Sequence, residues 1–294
     1  MSAAPVPVAA ERTASESPWR KSVRQLTRNP TAMIGLGALV LLTFVAIAAP
    51  WLAPYDPIRQ DPMLFLKPPS AEHWLGTDQF GRDIFSRILY GARISLRIGL
   101  VSVGIAIALG GFLGLVSGFY GGWLDQVISR FVDLLLAFPG ILLALVIVSV
   151  IGPSLTNVMI AVGISATPTY ARVVRGSVLA ARENVYVEAA HALGAGDRRV
   201  LARHVLPNVL APVIVLATLG VAGAILTGAA LSFLGLGAAP PTPEWGAMLS
   251  EGRNYMRLAW WISTFPGLAI MIAVLATNLF GDGLRDALDP RMRT

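Results

Sequence analysis

Cysteine is absent from the 294 residues, which excludes a disulfide framework, a thiol nucleophile and any Cys-ligated zinc site. Histidine is scarce. His73, His191 and His204 lie far apart in sequence, which argues against a histidine-rich metal centre. The lysines are Lys21 and Lys67, and neither stands in a G-x-x-x-x-G-K-[ST] context. The chain therefore has no P-loop, and any ATP that drives it is hydrolysed by another chain. Charge is also short: 14% of residues are Asp, Glu, Lys or Arg, against about 25% in an average soluble domain. With 55% hydrophobic residues and a mean hydropathy of +0.65, this is the composition of a chain solvated by lipid. No G-x-S-x-G, no H-E-x-x-H and no paired carboxylates within one span point to an enzyme. No intramembrane charge cluster suggests a proton relay.

What is present is organised by the gaps between charges. None of Asp, Glu, Lys or Arg occurs in 29–55, 98–124, 134–171, 204–243 or 258–281. A helix needs about 20 residues to cross the hydrocarbon core. The first, second and last gaps hold one span each. The third, 38 residues with Gly152-Pro153 inside it, holds two spans joined by a tight turn at 151–154. The fourth holds one, roughly 209–231, followed by a Gly/Pro-rich stretch at 235–243 that is not regular helix. The expectation is six spans with both termini on one side. Sorting the basic residues by side gives 15 with the termini and 8 opposite, so the termini are expected to be cytoplasmic. Arg82, Arg87, Arg93 and Arg97 run against that trend. Trp51, Trp123, Trp260 and Trp261 fall near span ends, as interfacial anchors do.

Residues 1–18 have no apolar core and do not form a signal peptide; disorder is expected there. The basic stretch 20–28 is expected to anchor to anionic lipid. Basic loops of this kind account for the sequence pI near 10.2 without a nucleic-acid partner. The outer segment 54–94 carries turn chemistry, then an amphipathic stretch from Asp83 to Arg97. Two uses fit it: an interfacial helix leading into span two, or a docking surface for an external partner. Asp133 is expected to pair with Arg130 on the same helix face. Gly110, Gly114 and Gly118 form a small-xxx-small stripe, suited to close packing and equally to sliding.

The loop 172–208 is too polar for lipid and has helix formers on both sides of a glycine break. A short helix over 183–193 ends at Gly194-Ala195-Gly196; Asp197 N-caps a second, 198–205; Pro207 stands in the first turn of span five. The result is a helix-turn-helix elbow. Two uses are open: a rigid knob that another protein grips, with small alanines and Glu188 on offer, or a loop packed on its own chain.

Glu188, Ala189, Ala190, Gly194, Leu206 and Pro207 resemble the E-A-A-x3-G-x9-I-x-L-P motif of ABC importer permeases. The sequence departs from it at His204, where the pattern has isoleucine. The stretches 73–99, 119–139 and 281–293 are similar to the C-type subunits of dipeptide, oligopeptide and nickel importers. The resemblance implies an all-α membrane protein of the type I importer fold, with six spans and cytoplasmic termini. It divides the chain into a tail (1–30), a first span (31–53), an outer segment (54–94), a five-helix core (95–283) holding the coupling loop 172–208, and a tail (284–294). It implies a homologous B-type permease partner, cytoplasmic ATP-binding subunits that hold ATP and magnesium, and an extracytoplasmic substrate-binding protein. It assigns no cofactor, metal or catalytic residue to this chain. The six motif residues become the ATPase-coupling site, and the cargo is expected to be a dipeptide or oligopeptide, with nickel or another small solute as the alternative.

Overall fold

The computed structural model describes residues 18–288. The disorder expected at the N-terminus and the basic residues Arg12, Arg291 and Arg293 lie outside them. The described chain is helical: α1 (Pro18–Arg28), α2 (Pro30–Leu52), α3 (Ile84–Tyr120), α4 (Gly122–Leu136), α5 (Gly140–Ile151), α6 (Leu155–Arg182), α7 (Val185–Ala192), α8 (Asp197–Val200), a π-helical turn (Leu201–Val205), α9 (Leu206–Phe233), α10 (Trp245–Gly252) and α11 (Trp261–Leu288). No strand occurs among the described residues.

Side-chain caps fix where the helices begin. Asn29 Oδ1 accepts from the Thr31 and Ala32 amides at 3.1 and 3.2 Å, with Pro30 in the first turn of α2. Asp83 accepts from Ser86 N at 2.7 Å to start α3, and Ser154 Oγ from Asn157 N at 3.1 Å to start α6. The tight turn expected at 151–154 is present, with Gly152 at φ +95°.

Among the described residues, four helices are long and apolar enough to cross a membrane: α2, α3, the 37-residue Asp197–Phe233 rod and α11. The bent pair α4–α5, turned by 93° at Pro139, makes a fifth candidate. Helix α6 is long enough but more polar, and its setting explains why. It is lined by α3, α5 and α9, and buries Ala161, Gly163, Thr167 and Ala171 against protein rather than lipid.

The glycine stripe is the seam between α3 and α6. A Cβ on Gly110 would stand 2.6 Å from Thr167 O, one on Gly114 2.5 Å from Ala171 O, and one on Gly118 2.9 Å from Val178 Cβ. No side chain fits there, so the two backbones approach closely.

Three local expectations are corrected. The stretch 83–97 is not a separate interfacial helix. It is the first four turns of α3, with Ile84 and Arg87 buried, because Asp83 caps the helix and the outer segment folds over it. Trp261 is not an interfacial anchor: it is 6% exposed and its indole N–H donates to Thr77 O at 3.1 Å. Asp133 pairs with Arg172 of α6 at 2.6 Å rather than with Arg130, since α4 lies along α6 and brings the guanidinium of another helix within reach. Asp125, also on α4, takes a bidentate pair from Arg175 at 2.6 and 2.7 Å.

Candidate functional site

The loop 172–208 folds as the elbow expected, with the details changed. Helix α6 stops at Arg182, and Asn184 Nδ2 ties back to the Ala180 and Ala181 carbonyls at 3.0 and 3.1 Å. The chain then turns into α7. That helix closes on Gly194 in the left-handed region, φ +81°. Gly194 N donates to His191 O at 2.9 Å and Ala195 N to Ala190 O at 3.0 Å. These two bonds are the Schellman pattern, and they require a residue at home with positive φ. Asp197 is not an N-cap; it is the first residue of α8, and no side chain caps that helix. Pro207 stands in the first turn of α9, as expected, but that helix does not start afresh there. The chain runs from α8 through the π turn into α9, and Leu206 N reaches back five residues to Leu201 O. The wider turn lets a helix continue past a residue that has no N–H to donate.

Below the elbow lies a floor of valines. Val187, Val200, Val205 and Val209 are each at most 2% exposed and join Phe119, Val174, Val178 and Ala181 in one apolar cluster. Arg182 donates to Phe119 O at 2.8 Å, so the end of α6 is fastened to the end of α3 beneath it. The Tyr186 and His204 rings meet at a tilt of 47° with 6.1 Å between centroids, and Asn208 Nδ2 donates to Tyr186 Oη (2.9 Å) and to His204 O (2.7 Å). His204, the departure from the isoleucine of the motif, thus braces α7 against α9.

What the elbow presents outward is Glu188 and Ala189, both exposed, with Leu193 (89% exposed) and Val185 (79%) beside them. Glu188 has no ion-pair partner among the described residues and lines a groove of about 480 Å³ with Arg182, His191 and Asp197. Ala190 is half-buried against the valine floor. Leu206 and Pro207 are exposed on the first turn of α9 and flank the floor through their neighbours Val205 and Val209. Sequence reasoning missed the floor, although Val205 and Val209, one helical turn apart, were its visible signal.

At the opposite end of α3 the outer segment is held by buried charge, which the sequence did not disclose. Arg82 donates to Asp78 and Glu251, both at 2.6 Å, and Arg87 to Glu251 at 3.2 Å; the two arginines are each 1% exposed. His73 Nδ1 lies 2.9 Å from Asp83 Oδ1. Glu244, fully buried, caps α10 by accepting from Gly246 N and Ala247 N at 2.9 and 2.8 Å. Burial pushes its carboxyl above the usual range, and those two amides oppose the shift.

A profile for the binding-protein-dependent transport system inner membrane component matches residues 110–294, which include the elbow. The chain belongs to that family. A second profile, the N-terminal transmembrane domain of oligopeptide transport permease C, matches residues 17–69 of this permease. The permease is 51% identical over 278 residues to the dipeptide transport system permease protein DppC of Alkalihalophilus pseudofirmus, covering 95% of this chain and 91% of that one. It is 47% identical to the glutathione transport system permease protein GsiD of Pectobacterium atrosepticum, over 95% of this chain and 93% of that one. It is likewise 47% identical to the di/tripeptide transport system permease protein DppC of Pseudomonas aeruginosa, with coverages of 94% and 93%. Among solved structures it matches a chain of the MetNI methionine ABC transporter in inward-facing conformations, with TM-score 0.56 and 19% identity over 69% of this chain and 96% of that one. That likeness establishes the ABC importer permease fold. The chain is a multi-pass component of the inner membrane.

Proposed function

We propose that this permease is the C-type half of an ATP-driven importer of dipeptides and other short peptides, working by alternating access. Its partners in this reading are a homologous B-type permease, cytoplasmic ATP-binding subunits that hold ATP and magnesium, and an extracytoplasmic binding protein. With α6 counted as a span, six helices cross the membrane and both termini are cytoplasmic. The relatives named for dipeptides, di/tripeptides and glutathione favour peptide over nickel as cargo.

The observation that carries the mechanism is the elbow. It is a projecting helix whose exposed face holds small side chains and one unpaired carboxylate, and whose buried face is bonded to two long helices. Glu188, Ala189, Ala190 and Gly194 present the surface an ATPase cleft would grip; Leu206 and Pro207 carry its displacement into α9. Closure of the ATPases would move the elbow, tilt α6 and α9, and open the route outward.

Two substitutions test this. A left-handed backbone costs a bulky residue about 1–2 kcal/mol. Gly194→Leu is therefore expected to lower the ratio of native to distorted elbow about five- to thirtyfold and to reduce uptake, while membrane insertion persists. Gly194→Asn, which tolerates that backbone better, should keep most of the uptake. Glu188→Lys reverses the charge offered to the partner and is expected to weaken co-purification of the ATPase. Unaltered peptide uptake in both Gly194→Leu and Glu188→Lys would remove the elbow from the coupling mechanism.

A further inference from the structure

Four arginines near the start of α3 run against the charge asymmetry of the chain, and the structure accounts for two of them. Arg82 and Arg87 are buried and neutralised by Asp78 and Glu251. Arg93 and Arg97 are not: they are exposed and have neither an ion pair nor a hydrogen bond among the described residues. One helical turn apart, they share a face of α3. Both line the same two grooves, each of about 840 Å³. One groove is apolar and runs between α2, α3, α9 and α11 past Leu39, Leu100 and Ile107. The other is a polar mouth walled by 54–58 and Pro243, with Tyr55, Asp56 and Tyr90 in it. Asp56 is the one acid among the lining residues of the two grooves, and its Oδ1 already accepts from Ile58 N at 3.0 Å.

The walls of this mouth are fixed. Arg87, six residues before Arg93 on α3, donates to Pro57 O at 3.3 Å and to Pro241 O at 3.2 Å, and Ser86 Oγ accepts from Tyr55 N at 3.2 Å. Two uncompensated guanidiniums thus stand where a polar mouth adjoins an apolar groove. A guanidinium matches a carboxylate in charge and in bidentate geometry.

We propose that Arg93 and Arg97 form a carboxylate-binding subsite on the translocation route, which takes the C-terminal carboxylate of the peptide as it leaves the binding protein. The inference rests on the peptide-import reading above. It answers the difficulty that side chains of the cargo vary: the carboxylate is the group every free peptide presents.

The test is uptake of radiolabelled dialanine by the complete importer, with its binding protein, in proteoliposomes. Arg93→Gln with Arg97→Gln is expected to lower the maximal uptake rate about tenfold or more, the loss of a charge-assisted bond. The concentration of loaded binding protein giving half-maximal uptake should stay unchanged, because docking is untouched. Arg93→Lys with Arg97→Lys should recover most of the rate. Wild-type importer that moves no peptide at all would sink the cargo reading and the subsite together. Wild-type uptake with an unaffected Gln double variant would sink the subsite alone. Loss of the partner permease from the purified Gln variant would make the pair a subunit contact instead. A rate that rises with added phosphatidylglycerol in the wild type but not in the Gln double variant, the two being equal in phosphatidylcholine alone, would make it a lipid-headgroup site. A Lys variant as inactive as the Gln variant would overturn recognition by charge.

Discussion

Gly114→Leu is expected to leave almost no folded permease. The Cβ alone would stand 2.5 Å from Ala171 O, 2.7 Å from Val174 Cβ and 2.9 Å from Arg175 N. Two of those three are backbone atoms, which no rotamer change moves aside. Relief requires α3 and α6 to separate along the seam that also holds Gly110 and Gly118. Overpacking in a core costs about 1–3 kcal/mol where side chains yield, and the cost here should exceed that range. Gly111, three residues back and with nothing within 4 Å of its Cβ position, is the internal control. Size-exclusion recovery and thermal melting in detergent should separate the two: Gly111→Leu near wild type, Gly114→Leu aggregated or absent. Equal recovery of both variants would show that the seam does not hold the bundle together.

The second large effect is expected at the opposite end, where Glu251→Leu removes the carboxylate that both Arg82 and Arg87 address. The two guanidiniums, each 1% exposed, would be left with Asp78 as their remaining carboxylate. Breaking one partner out of a buried ionic group costs about 3–5 kcal/mol, chiefly because the remaining charge stays desolvated. The comparison is Asp133→Ala. Its pair with Arg172 is of similar length, 2.6 Å, but the two side chains are 55% and 60% exposed. Solvent screens such a pair, and its loss should change stability by less than about 1 kcal/mol. Melting of both variants in the same detergent checks the contrast; a Glu251→Leu transition within error of that of Asp133→Ala would contradict it.

The residues that were legible in the sequence are those whose reason is local. Gly194 after a short run of helix formers and the Gly152-Pro153 turn declare themselves by backbone chemistry. The charge-free gaps declare the long helices. What the sequence concealed depends on contacts between distant segments. Glu251 meets Arg82 across 169 positions, and no spacing rule connects them. Asp133 offered a local partner in Arg130, and a tertiary one in Arg172 won because α4 folds against α6. Trp261 stands at the start of α11, where an anchor was expected, but Thr77 O captures its N–H. At Pro207 the local rule placed the proline in the first turn of a helix, where it stands, and left unseen the π turn that joins that helix to α8 without a break. The role assigned to the six motif residues rests on their resemblance and on their exposed, braced placement, and its decision belongs to the uptake experiments.

That unbroken passage through the π turn has a mechanical consequence. The stretch Asp197–Phe233 is 37 residues of continuous rod, about 55 Å at 1.5 Å per residue. Pivoted at its elbow end, such a beam amplifies motion: a rotation of about 5° sweeps its far tip through about 5 Å. Spin labels at positions 202 and 233, each paired with a reference on α11, would register unequal displacements if the rod swings as one piece, and similar ones if it merely slides.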